Sequence, residues 1–422
     1  MKLTFKQFLT EGGNVSVTDI HGAEHLADRM DLRKIPRETL ANIISALAHK
    51  LNSMFKKEHG SPIWTSKELI DTGHAFNGSS ELLFDKSIPT DKFIKHKPTL
   101  GDIDLTMPED LKHEFRTFID SIKSEVLIKS NIDGHKVVVT YLGNNKESRQ
   151  IAGEQQINSL FQVEIDNTPF NIQIDFEMLP YKDGKPTAFT KFTHSSDWED
   201  IKAGLKGVAH KYLIRSLVSS GSLRDDVVVV QKAAREGKEV KYMSSYEGRE
   251  HVNMMKFSVG RGVRKAFYQS NTKGGNYETE GGTPWKIDGK FAFKEIPTSE
   301  STYEEDPIEM LSYIFPKEVV QKHLSKINSF VGILDLMKKY SSEETIQQTF
   351  DRMIDLFFEV SYTKDGRASP VQGFERNNPE GDKEIKMAAI NKMVEVLPQL
   401  KKKMKTVNQE IEKYYANYKM AD

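Results

Sequence analysis

Gly101-Asp102-Ile103-Asp104-Leu105 is the stretch on which the reading of this chain turns. In a β-strand successive side chains point to opposite faces, so residues i and i+2 share one. Ile103 and Leu105 then enter a core, and Asp102 and Asp104 stand side by side on the other face. Two adjacent carboxylates repel, and a divalent cation that takes oxygen ligands removes the repulsion. The pair therefore predicts a metal-binding strand.

Further along, Phe170, Ile172, Ile174 and Phe176 alternate with polar residues over 170–179, which predicts a second strand of the same sheet. Asp175 projects from its polar face. Glu177 shares that face and is the alternative third ligand. Upstream, Gly78-Ser79-Ser80 follows the apolar Ala75 and Phe76. A glycine followed by hydroxyl residues lets backbone N–H groups approach phosphate oxygens.

The rest of the chain frames these pieces. Leu40, Ile43, Ile44, Leu47, Leu51 and Met54 recur at helical spacing over 37–58. A short helix is expected at 65–72, a polar loop rich in Lys and Pro at 85–99, and an amphipathic helix at 109–129. Strands are expected at 136–142 and 160–165, the latter joined to 170–179 by the turn Asp166-Asn167-Thr168-Pro169. A helix is expected over 197–219. From 223 to 305 short strand-like runs alternate with Gly-rich turns. After an acidic linker at 299–307 the chain reads as helical in segments at 307–314, 317–338, 342–360 and 382–419. The expected class is α/β (α+β): a small mixed-sheet core over 12–222 flanked by helices, a β-containing subdomain over 223–305, and a helical domain over 306–422.

Small residues leading into Gly78-Ser79, an Asp102-Ile103-Asp104 pair between apolar neighbours, and a later Asp175 on a strand resemble the polymerase-β-like nucleotidyltransferase superfamily. Its members include CCA-adding enzymes, poly(A) polymerases, aminoglycoside nucleotidyltransferases, oligoadenylate synthases and nucleotidyltransferase toxins. The resemblance covers about residues 40–220. It implies that Gly78, Ser79 and Ser80 hold the triphosphate of an NTP, and that Asp102 and Asp104 bridge two Mg²⁺ ions, with Mn²⁺ as a substitute. Asp175 would complete the second metal site and activate the acceptor hydroxyl of an RNA, a tRNA or a protein. The gap between the Gly-Ser and Asp-x-Asp motifs exceeds the family's usual spacing, so residues 81–100 must hold an insertion.

Lys206 and His210 lie four residues apart in the expected 197–219 helix and are candidates for the triphosphate or acceptor. Gly204 and Gly207 beside them suggest a close approach, because glycine within a helix costs about 1 kcal/mol. Two basic clusters are weaker signals: Arg261, Arg264 and Lys265 among aromatics, and Lys401–Lys403 with Lys405 on a charged helix.

The 422 residues hold no cysteine, which excludes a thiol nucleophile, a disulfide framework and a Cys-based zinc site. Hydrophobic residues make up 37%, charged residues 29%, and the net charge is −1, an ordinary globular balance. No run of about 18 apolar residues exists, so no membrane helix is expected.

The opening Met1 to Glu11, with Phe8-Leu9-Thr10-Glu11, resembles the capsid-targeting peptide of internal head proteins of large tailed bacteriophages. A prohead protease cuts there after Glu in a Leu/Ile-x-Glu context, and Leu9-Thr10-Glu11 is the sole such site in the chain. That resemblance implies cleavage at Glu11, packaging in the phage head and delivery to the host cytoplasm. The other readings are a non-catalytic internal head protein and a nucleotide-binding, toxin-like interaction module.

Overall fold

Apolar residues at i, i+3, i+4 and i+7 build the first helix, α1 (Arg37–His59). It buries Leu40, Ile43, Ile44, Leu47, Leu51 and Phe55 and ends on Gly60 in the left-handed region at φ 83°, the conformation that glycine adopts without strain. The structure, a computed structural model, describes residues 16–18, 23–123, 125–145, 156–194 and 196–218. It also describes 244–246, 249–258, 262–270, 284–287, 290–296, 303–312, 314–358, 360–362, 368–370 and 379–417.

The chain divides into two units. The first is Met1–Val208 with Gly373–Ala389 and Met420–Asp422; the second is Ala209–Gln372 with Ile390–Lys419. The expected boundary at 222 lies outside the described residues.

The first unit opens with three short strands, β1 (Ser16–Thr18), β2 (Glu24–Leu26) and β3 (Met30–Asp31). After α1 come α2 (Lys67–Asp71), α3 (Gly78–Glu81), α4 (Thr90–His96) and β4 (Thr99–Leu100). The main sheet consists of β5 (Asp102–Pro108), β6 (Val126–Ile132), β7 (His135–Asn144), β8 (Gln156–Ile165) and β9 (Thr168–Leu179), with α5 (Lys112–Ser121) between β5 and β6. Its order is β5-β9-β8-β7-β6. Only the β5–β9 pair is parallel. This is a mixed α/β architecture, and α1 packs on the face formed by Ile103, Leu105, Ile172, Ile174 and Phe176.

Two expectations fail in instructive ways. The helix expected over 109–129 stops at Ser121, and Val126–Ile132 is a strand. It turns through Asp133 and Gly134, both at positive φ, into β7. Asp-Gly flanked by β-prone runs is a strong hairpin signal, and here it outweighs the amphipathic pattern that precedes it. The loop expected at 85–99 contains α4, pinned by the single buried side chain Phe93. Phe93 lies under the Arg37 guanidinium at 4.5 Å and stacks on Trp198. Buried Arg37 donates to the carbonyls of Leu82, Leu83, Asp85 and Ile88, so one side chain organises the whole insertion.

Beyond the sheet come the short strands β10 (Tyr181–Lys182) and β11 (Lys185–Pro186), then α6 (Ala188–His194), α7 (Trp198–Lys202) and α8 (Gly207–Val218). The expected 197–219 helix is thus broken. Gly204 sits at φ +73° with open space around its would-be Cβ, so the glycine is required by the left-handed turn that ends the helix and not by a close neighbour.

In the second unit five antiparallel strands follow the order β12 (Ser244–Tyr246), β13 (Arg249–Ser258), β14 (Gly262–Ser270), β16 (Lys290–Ile296), β15 (Pro284–Ile287). Helices at Pro307–Leu311, Lys317–Lys322, Leu324–Ile327, Phe330–Tyr340 and Glu343–Phe357 follow, and the C-terminal stretch ends in Met404–Asn417. Ser329 and Ser342 cap two of these helices by accepting from Gly332 N and Thr345 N. No helix among the described residues is long and apolar enough to cross a membrane.

Candidate metal centre

β5 and β9 run side by side in parallel, and their register sets Asp104 directly across from Asp175, and Asp102 across from Gln173. Side chains of facing residues lie on one side of a sheet. Asp102, Asp104 and Asp175 consequently present carboxylate oxygens within 4.8 Å of one another. Asp102 and Asp104 are half-buried and Asp175 is buried.

Three carboxamides hold Asp175. Its Oδ2 accepts from Gln156 Nε2 at 2.8 Å. Its Oδ1 accepts from Asn158 Nδ2 at 2.6 Å and from Gln173 Nε2 at 2.8 Å. Burial first, and then the Asp102 charge, pushes the Asp175 carboxyl up to about 8, against the lowering effect of the Gln173 and Asn158 hydrogen bonds. A carboxylate fixed by neutral donors, crowded by two others and poorly solvated is a site that a hard divalent cation suits. The donor set fits Mg²⁺ or Mn²⁺.

The Gly-Ser turn reaches the same place. Asn77 N donates to Asp104 O at 3.0 Å, and Thr106 N to Ala75 O at 2.8 Å, so 75–77 runs antiparallel along the outer edge of β5 with a Phe76–Leu105 bridge. Gly78 has φ +56°, and a Cβ there would meet Asp104 Oδ2 at 2.8 Å. This glycine is required both by its backbone and by the carboxylate beside it. Buried Ser80 points inward: its Oγ accepts from Asp104 N at 3.1 Å and lies 3.5 Å from Asp102 O. Ser80 therefore braces the metal strand, and half-buried Ser79 remains the outward hydroxyl of the turn.

Glu177 takes a different place from the three aspartates. Its Oε2 accepts from Asn77 Nδ2 at 2.8 Å, which ties β9 to the turn. Asn77 Oδ1 is buried without a hydrogen-bond partner. Lys191, on α6, donates to Phe76 O at 2.7 Å and pairs with Glu81 Oε1 at 3.2 Å, gripping both ends of the turn. Burial lowers the Lys191 ammonium from its ordinary value, and the Glu81 and Glu177 carboxylates oppose that.

Lys206 and His210 are not brought together on one helix face, since Lys206 lies in the break before α8. His210, itself in the second unit, is buried, with Nε2 at 2.9 Å from Ile327 O of the same unit. Burial pulls it down to about 4, so it is a neutral core ring, and the expected triphosphate contact is corrected. Of the basic clusters, Arg264 sits over Tyr303 at 5.3 Å. Lys402 and Lys403 pair with Glu343 and Asp351. Arg261 and Glu11 lie outside the described residues.

Sequence reading missed Gln156, Asn158, Gln173, Asn77 and Lys191. Gln156 and Asn158 could be found only through the β8–β9 register (Asn158 faces Asp175, Gln156 faces Glu177), whereas Gln173 shares the Asp175 face two residues earlier on the same strand.

Comparison with protein-family models, with curated proteins and with solved structures finds no match for this chain. The functional reading rests on this geometry.

Proposed function

We propose that the chain transfers a nucleoside monophosphate from an NTP to an acceptor hydroxyl on RNA or a protein. The observation that carries this is the convergence of Asp102, Asp104 and Asp175 with the Gly78 turn packed against Asp104. Asp102, Asp104 and Asp175 would hold Mg²⁺, which when bound neutralises their charge and that of the transferred phosphate. The backbone N–H groups of Gly78 and Ser79, with the Ser79 hydroxyl, orient the triphosphate. Asp175 receives the proton of the acceptor hydroxyl at its carboxylate. Ser80, Asn77 and Lys191 keep the turn in register with the carboxylates.

The test is incubation with labelled NTPs and Mg²⁺ beside bulk RNA and protein. Label transfer by the wild type should fall at least about 10³-fold in Asp102→Asn and in Asp104→Asn. Equal labelling by the wild type and both variants would sink the reading.

The N-terminal peptide adds a proposed setting, a head-packaged protein delivered to a host, motivated by Leu9-Thr10-Glu11. Mass spectrometry of virion-derived protein should find Gly12 first; an intact Met1 removes the setting and leaves the chemistry untouched.

A further inference from the structure

The segment between β2 and α1 is lashed to the sheet beside the carboxylates. Asp28 N donates to Asn171 O at 2.8 Å, and Asn171 N donates to Asp28 Oδ2 at 2.7 Å, two residues before Gln173 on β9. The antiparallel β3–β4 ladder then pairs Met30 with Leu100 and Asp31 with Thr99. Carried one residue further, that register sets Arg29 opposite Gly101. Neighbouring strands lie about 4.8 Å apart and rise about 3.4 Å per residue. The Arg29 backbone is thus roughly 6 Å from that of Asp102, by the same strand geometry.

The surroundings of this ladder are basic. Residues 28–34 and 92–97 carry Arg29, Arg33, Lys34, Lys92, Lys95 and Lys97 against only Asp28 and Asp31. Both of those carboxylates are engaged, Asp28 by Asn171 and Asp31 by Arg33. Arg29, Arg33, Lys34, Lys92 and Lys95 are exposed. A chain with net charge −1 has concentrated cations on the segments that flank β3 and on α4 with its C-cap, just before β4 leads into the strand of Asp102 and Asp104. His96 stands edge-on to the half-buried Trp198 ring at 5.7 Å, so an aromatic edge accompanies the charges. Cations along a track with an aromatic beside them are what a single-stranded polynucleotide requires.

We infer that the basic segments flanking the β3–β4 ladder, with Arg29, Lys34 and Lys95, are the docking track for an RNA strand whose terminal hydroxyl lies at the carboxylates. A track that ends at the metal strand delivers the end of a chain to it, whereas a folded protein acceptor would need a broader surface. The choice of end rests on the nucleotidyl-transfer reading; the binding itself does not.

The test is fluorescence anisotropy of a labelled oligouridylate with the full chain, in EDTA and without NTP, over a salt series. Single-stranded binding weakens with a logarithmic slope of about 0.7 per neutralised phosphate. The variant Arg29→Glu/Lys34→Glu/Lys95→Glu should bind at least tenfold more weakly, with the slope reduced by about 2 from the loss of three phosphate contacts. If the triple reversal melts at a lower temperature than the wild type, the neutral set Arg29→Gln/Lys34→Gln/Lys95→Gln decides in the same direction. Unchanged affinity and slope in these variants, or no binding by the wild type at low salt, overturns the track. RNA binding that depends on the track without NMP transfer to any acceptor leaves the track standing and sinks the transferase reading. Transfer to RNA that survives the reversal does the opposite.

Discussion

Asp175→Asn should make the metal-free protein more stable while abolishing its response to Mg²⁺. Burial and the neighbouring Asp102 raise the Asp175 carboxyl from 3.8 to about 8. A carboxyl whose folded value lies above its unfolded one opposes folding wherever the unfolded chain is ionised. The opposition is absent below about pH 4, grows as pH rises toward 8, and is complete above it. At about 1.4 kcal/mol per unit, the penalty on the metal-free fold at pH 7 is on the order of 4 kcal/mol. Asparagine keeps the shape and removes the charge. Its single oxygen can accept from Asn158 and Gln173, which both donate to Oδ1 now. Gln156, which donates to Oδ2, need only rotate its amide to accept instead. The assay is thermal unfolding from pH 5 to 8.5, in EDTA and in excess Mg²⁺. In EDTA the wild-type Tm should fall with rising pH while the variant's stays flat, and the variant should be the more stable by a few kcal/mol above neutrality, as the same linkage requires. Mg²⁺ should restore the wild type and leave the variant unmoved. Parallel pH curves in EDTA, or a variant that Mg²⁺ still stabilises, would refute the assignment of Asp175 as a strained metal ligand.

Gly78→Ala places a methyl 2.8 Å from Asp104 Oδ2 at φ +56°, with a backbone cost of about 1–2 kcal/mol. NMP transfer should fall at least tenfold while the fold survives, as circular dichroism and activity measured together will show. Lys191→Met removes the grip on Phe76 O and Glu81, so KM for NTP should rise more than kcat falls; an unchanged KM argues against the clamp. Arg37→Met orphans four carbonyls in the insertion and should cost about 3–5 kcal/mol in denaturant unfolding, since uncompensated buried acceptors are expensive.

The carboxylate strands were legible because their information is local. In 101–105 and 170–177 the period-two pattern gives the face of every residue without knowing the partner strand. The hairpin Asp166-Asn167 and the apolar stripe of α1 are local in the same sense. What surrounds the carboxylates is not. Gln156 and Asn158 look like any polar strand residues until the β8–β9 register places them on Asp175. α4 escaped because one buried Phe93 makes no periodicity. His210 was misjudged because its four-residue spacing from Lys206 presumed an unbroken helix, and Gly204 ends that helix. The motif geometry could be read, but the side chains that tune it are set by distant pairing.

The Ala75–Asn77 segment has one further consequence. β5 is the outermost strand of its sheet, and a bare outer strand is an open template for joining another chain. Here the turn proposed to offer its N–H groups to phosphate continues from the selvedge of the sheet, sewn to β5 through Asn77, Thr106 and the Phe76–Leu105 bridge. Such a turn cannot swing aside to admit or release a nucleotide without fraying the fabric it finishes. On the proposed function a nucleotide would pass over a rigid lip, and amide exchange at Asn77 and Thr106 should be as slow with nucleotide absent as with it present.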